Sequence, residues 1–133
     1  LLWQGLWAYV RYHRIGAMIG CASFEGTDAH DLSLPLSYLQ HEASAGNDWH
    51  VHARADRAVH YPVLDRAHID ARMALRAMPP LIKGYLRAGA RFSSEAVTDH
   101  IFGTTDIFVV MPVAAINARY IDYFGPNADR YAA

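Results

Sequence analysis

PPLIKGYLRAGARFSSEAVTDHIFGTTDIFVVM, residues 79–111, reads as a proline-opened helix feeding two strands. Pro79 and Pro80 suit a first helical turn, where no backbone N–H is needed and φ is already set. Leu81, Ile82, Tyr85 and Leu86 recur on one helical face, with Lys83 and Arg87 a turn apart on another. Gly89 falls where a helix ends in the left-handed conformation. Residues 91–98 and 106–111 follow as extended segments, the second a continuous apolar run of the kind buried on both faces. Helix, strand, strand is the ending of a layered α/β domain.

Working outward, Asp70 predicts the cap of a short helix, ARMALRAM, that stops at the prolines. Upstream, residues 44–67 are rich in Gly, Asn, Asp, Pro and His, a long insertion with short strands near Trp49–Ala53 and Val59–Val63. A helix is expected over 33–43, capped by Ser33 or Asp31, with Leu36, Leu39 and Ala43 inward. Ile15 to Ala22, IGAMIGCA, reads as a central buried strand and residues 23–28 as the turn that ends it. Residues 1–14 read as a helix with Leu2, Leu6, Tyr9, Val10 and His13 on its buried stripe, widened by Trp3 and Trp7. That helix begins without Met, cap or turn, and the expectation is a truncated chain. Beyond residue 111, Pro112 is expected to open a last helix that buries Ile116, Tyr120 and Phe124 and stops at Gly125-Pro126.

Composition bounds the rest. With 133 residues, 53% of them apolar, the chain can bury a real core in one domain. A net charge of −1 offers no strong field for nucleic acid. Cys21 is the single cysteine, which excludes an internal disulfide and a multi-cysteine zinc site and favours a reducing, cytoplasmic setting. No apolar run reaches the roughly 20 residues a membrane span needs, so membrane contact, at the inner face, is expected only as peripheral.

Several side chains are chemically suggestive. Cys21 and Ser23 fall at the end of a strand, where open α/β sheets place ligands, although a lone Cys in an apolar strand is commonly an inert core residue. Lys83, Arg87 and Arg91, with Arg76 upstream, form either a solvated face or an anion site, since like charges one turn apart repel mildly. His50-Val51-His52 puts two imidazoles on one face of a strand, a geometry that can bind a metal, but His41-Glu42 lacks the second His of a metalloprotease helix, no Cys pair supports a zinc site, and no metal site is assigned. There is no nucleophile elbow, phosphate loop or dinucleotide fingerprint.

PPLIKGYLRAGA followed by HIFGTTDIFVVM, with the earlier LLWQGLWAYV and IGAMIGCASFEGTD, resembles the bacterial ornithine N-acyltransferases that make lyso-ornithine lipid. That family is a hemolysin-like branch of the GNAT-like acyltransferases, related to autoinducer synthases. The resemblance covers most of the chain in order, and only 44–67 is too loose to compare. It implies an α/β, GNAT-like three-layer fold truncated at its N-terminus, with residues 1–133 as the C-terminal part of one acyltransferase domain.

It also implies a reaction. A 3-hydroxyacyl group, carried as a thioester on the phosphopantetheine of acyl carrier protein, passes to the α-amino group of ornithine, with no other cofactor and no covalent enzyme intermediate. Cys21 is disfavoured as an acyl acceptor because no His-Asp/Asn partner is identifiable. Tyr85 matches the family's tyrosine-to-glycine segment, in which the tyrosine protonates the departing thiolate; a phenol is a weaker acid than a thiol, so placement decides between that role and a core tyrosine. Ala88 and Ala90 depart from the larger apolar residues usual in that segment. By the same resemblance, backbone groups from Gly20 through Cys21 to Ser23 orient the acyl carbonyl, and Lys83 and Arg87 meet the phosphate or the acidic carrier protein. Thr104, Thr105 and Asp106 either cap the sheet or line the ornithine site, capping being favoured. The rivals are a GNAT-like enzyme with another amine or an acyl-CoA donor, and a non-catalytic module binding carrier protein or a membrane surface.

Overall fold

The computed structural model describes residues 2–128. In chain order its elements are α1 (Leu2–Tyr12), β1 (Ala17–Glu25), α2 (Ser33–Glu42), α3 (Gly46–Trp49), β2 (Ala58–Val59), α4 (Ala71–Ala77), α5 (Pro80–Ala88), β3 (Arg91–Asp99), β4 (Thr104–Pro112) and α6 (Ala118–Ala128). The strands form one sheet in the order β1-β4-β3-β2, with every neighbouring pair antiparallel. The described residues thus make a mixed α/β unit around an antiparallel sheet.

The apolar run of β4 takes an inner position between β1 and β3, as its composition demands. Along β1 the side chains alternate, Ala22 and Phe24 buried and Cys21, Ser23 and Glu25 exposed. The inward face of the sheet, with Phe24, Phe92, Ile107 and Met111, meets Leu36 and Leu39 of α2, Met78 and Ile82 of α5 in one core. Each large side chain so buried contributes about 1.5–3 kcal/mol.

Helix termini explain why the segments end where they do. Asp70 accepts the N–H groups of Arg72 and Met73 at 2.9 and 3.1 Å and so caps α4. Gly89 ends α5 at φ 102°, with the Ala90 N–H given to the Tyr85 carbonyl at 3.0 Å. A β-carbon at Gly89 would lie 2.5 Å from the carbonyl oxygen of Ala115. Close by, the Asn117 N–H donates to the Ala88 carbonyl at 3.0 Å, which fixes the entry to α6 against the end of α5.

Several expectations need correction. Among the described residues β1 lies at the edge of the sheet rather than at its centre, and it continues through residues 23–25, with Ile19 71% exposed. Apolar composition alone does not say whether a neighbour covers a strand. On α1 only Trp7 and Val10 are buried, packed against Ile116 and Ile121, whereas Leu2 and Tyr9 are exposed. Leu81 on α5 is 56% exposed, because the buried stripe narrows to Ile82 and Ala88. Neither Asp31 nor Ser33 caps α2: Leu32 holds that position, and the Ser33 hydroxyl donates backward to the His30 carbonyl at 2.6 Å. Pro112 closes β4 instead of opening a helix; a short 3-10 turn follows, and Asn117 Oδ1 accepts the Arg119 N–H at the start of α6. α6 runs on through Gly125 and Pro126 to Ala128, although an interior proline removes one donor and crowds the carbonyl four residues before it. The Phe124 side chain lies outside what is described.

The segment 44–67 is tied to the sheet edge rather than looped away. β2 pairs with Val97 and Ala96 of β3, and the Tyr61 hydroxyl donates to the Ser94 carbonyl at 2.7 Å, where Gln40 Nε2 also donates at 3.0 Å. Residues 49–53 form no strand. They are instead held by side chains of β3.

Gly89→Ala is expected to destabilise the fold by more than about 1 kcal/mol, because it combines a left-handed φ with a steric conflict at Ala115. Chemical denaturation monitored by circular dichroism measures it; an unchanged midpoint would show that the α5–α6 junction yields without cost.

Candidate active site

An apolar groove opens between α1, α5 and the strands β1 and β4. It consists of two adjoining cavities of about 210 and 360 Å³ that share Trp3, Leu6, Met18 and Met111 in their walls. The smaller runs toward α6 between Gly84 and Ala88 on one side and Ile116 and Tyr120 on the other. The larger ends at Ile19, Gly20, Cys21 and Tyr85. Gly84 stands in the middle of α5, where glycine costs roughly 0.5–1 kcal/mol of helix stability relative to alanine. Its missing side chain leaves room, since a β-carbon there would meet nothing within 4 Å.

Of the residues singled out from sequence, Tyr85, Gly20 and Cys21 are brought together on the wall of the larger cavity. Tyr85 is half-buried and stands edge-on to the Trp3 ring, centroids 6.3 Å apart. Cys21 is exposed rather than a core residue. Ser23 lies further along β1, paired with Asp106, and is not among the groove residues. Lys83 and Arg87 sit on α5 beside the groove without lining it.

Thr104, Thr105 and Asp106 belong to β4, not to a turn, at the end of the strand away from Tyr85. Thr105 is four residues from Val109 of the groove, on the order of 14 Å along an antiparallel strand. It is wholly buried and its hydroxyl donates to the Gly26 carbonyl at 2.9 Å, clamping the ends of two strands. The Thr104 hydroxyl donates to the Asp106 carboxylate at 3.0 Å. The connection between β3 and β4 is held by Asp99, whose carboxylate accepts the Ile101 and Phe102 N–H groups at 2.8 and 3.0 Å.

Sequence reasoning missed three contributions. The helix α1 supplies much of the groove, through Trp3 and Leu6, although its stripe reads as ordinary core. Trp7 Nε1 is buried there with no hydrogen-bond partner among the described residues, an uncommon deficit for an indole N–H. Glu95 joins His50 and His52, bringing three ligand-type groups together across the edge of the sheet. The His52 hydrogen bond, with the Ala53 N–H, keeps the Glu95 carboxyl below its ordinary value. In the same region burial pushes the Tyr61 phenol upward, against a smaller lowering by its hydrogen bond from Gln40.

No helix among the described residues is long and apolar enough to cross a membrane. No protein-family model matches the chain. No solved structure matches it either. Proteins named L-ornithine N(alpha)-acyltransferase do. The one from Brucella abortus is 47% identical over 131 residues, 98% of this chain and 47% of that protein. That from Agrobacterium fabrum is 49% identical over 130 residues, covering 98% of the chain and 44% of the relative. That from Rhizobium meliloti is 42% identical over 133 residues, all of this chain and 45% of the relative. The chain therefore spans somewhat under half the length of these curated relatives. Along almost all of its length the chain is thus similar to one part of proteins named L-ornithine N(alpha)-acyltransferase.

Proposed function

We propose that the chain is part of an N-acyltransferase that moves an acyl group, carried as a thioester on acyl carrier protein, to the α-amino group of ornithine in ornithine lipid synthesis. The observation that carries this reading is the apolar groove with Tyr85 at one end beside Gly20 and Cys21. A fatty acyl chain needs an apolar channel, and its thioester needs donors and an acid at the mouth. The names of the relatives supply the acceptor, and α5 running into β3 through Gly89 supports the GNAT-like reading of the fold.

In the mechanism, the neutral α-amine attacks the thioester carbonyl directly. A C–N bond forms, the tetrahedral oxyanion is met by the backbone N–H of residue 20 or 21 that points away from β4, and the C–S bond breaks. The nitrogen loses one proton and the sulfur gains one, so no co-reactant is required. Tyr85 delivers the proton to the sulfur. Its phenol is fixed from the side by the Trp3 ring, which limits its orientation. Lys83 and Arg87, next to the groove on the same helix, supply cations for the phosphopantetheine phosphate or the acidic surface of the carrier. Gly84 keeps the channel open for the chain.

The full-length protein incubated with 3-hydroxyacyl carrier protein and ornithine should yield the amide, detected by mass spectrometry. Carrier protein bound without product would instead favour a binding module, and product only with another amine or acyl-CoA would favour a different N-acyltransferase. Tyr85→Phe is expected to lower kcat by about 10²-fold or more with little change in melting temperature; unchanged turnover would return Tyr85 to a packing role. Gly84→Leu should reduce kcat/KM for long-chain donors by roughly tenfold relative to short ones, as expected when a few methylenes lose their pocket. Equal loss for all chain lengths would place the acyl group elsewhere.

A further inference from the structure

We propose that His50, His52 and Glu95 form a binding site for a divalent transition-metal ion of the Zn²⁺ type, which fastens the segment after α3 to β3. His50 ends α3 in an extended conformation, φ −68° and ψ 135°, and its ring lies 4.6 Å from that of His52, centroid to centroid. Extended backbone puts residues two apart on the same side, so the two imidazoles face one region. Glu95 comes from β3, with Oε1 2.9 Å from His52 Nδ1. One ligand atom from each of the three lies within 4.8 Å of the others.

The site is built rather than casual. The Val51 N–H donates to the buried Ser93 hydroxyl at 3.0 Å, and the Ala53 N–H donates to Glu95 Oε2 at 2.6 Å. These bonds, between and beyond the two histidines, hold the segment against β3 in fixed register. The second of them also orients the carboxylate, the outer support that ligating carboxylates usually have, and turns Oε1 toward the His52 ring, where a metal would replace the present Nδ1–Oε1 hydrogen bond.

The donor set selects the ion. Two imidazoles and one carboxylate suit Zn²⁺, Co²⁺ or Ni²⁺, whereas Mg²⁺ and Ca²⁺ prefer oxygen ligands throughout. Metal–nitrogen bonds of about 2.0–2.1 Å put tetrahedral ligands roughly 3.4 Å apart, so the outlying group must close in by on the order of 1 Å. His52 is 78% exposed at its side chain, which leaves solvent space for the ring to shift by that amount once the metal takes the place of its hydrogen bond to Glu95. Three protein ligands leave the fourth position to water or an external group. Nothing in the proposed acyl transfer uses these residues, and they lie on the opposite side of β4 from β1 and its groove.

The test is equilibrium Zn²⁺ binding to the full-length protein by competition with a chromogenic chelator, with Co²⁺ absorption reporting coordination geometry. Saturable one-to-one binding is expected, together with a higher melting temperature in Zn²⁺. His52→Ala and Glu95→Gln should each weaken Zn²⁺ binding by at least about tenfold and abolish the Zn²⁺-dependent shift, while His100→Ala leaves both unchanged. Both substitutions fall on solvent-accessible side chains, so each variant's melting temperature without metal checks its folding. Three outcomes would overturn the proposal: no saturable Zn²⁺ uptake at micromolar metal, uptake that both variants retain, or equal affinity for Mg²⁺.

Discussion

The antiparallel seating of β4 between β1 and β3 is the constraint on which the rest depends. Ile107, Val109 and Met111 point from it into the core, and its backbone is paired on both sides, without interruption along β1 and with a bulge on the β3 side between Phe92 and Ala96. Once β4 is fixed, the groove follows. Met111 and Val109 form its floor, Met18 and Gly20 pair into it from β1, and α5 arrives across it because Gly89 turns the chain directly into β3.

Local chemistry made part of this legible in the sequence. Asp70, Pro80 and Gly89 act on backbone groups a few residues away, so their spacing alone foretold α4 and α5. The apolar run 107–111 likewise announced an inner strand. What stayed hidden depends on distant partners. IGAMIGCA carries the composition of a central strand, yet no neighbour covers its outer edge among the described residues. Trp3 and Leu6 have the spacing of core residues, and only the arrival of α5 makes them a groove wall. Glu95 reads as a polar strand residue until the segment carrying His50 and His52 is laid beside it.

The candidate residues separate along the sheet. Tyr85, Gly20 and Cys21 gather at the apolar end of the β1–β4 ladder, and Ser23, Thr104 and Asp106 at its polar end. Their order along the chain offers no hint of that division, because a strand carries neighbouring residues steadily apart in space. Thr105 shows the same point from another side: its hydroxyl, which looks available for a ligand, is spent inside the fold on the Gly26 carbonyl.

The order of the strands also bears on how the chain folds. β3 and β4 are joined by a short connection and follow α5 without a break, so this part forms from contacts close in sequence. Pairing β1 with β4 must instead bring Glu25 to Thr104, closing most of the chain into a loop. Loop-closure entropy makes that step about 2–3 kcal/mol costlier than closing the hairpin. Contacts of such long range form late and slow the overall rate. The β3–β4 hairpin is therefore the less costly pairing to close, and the groove, whose wall includes Met18 and Gly20, has its full lining only with β1 in place.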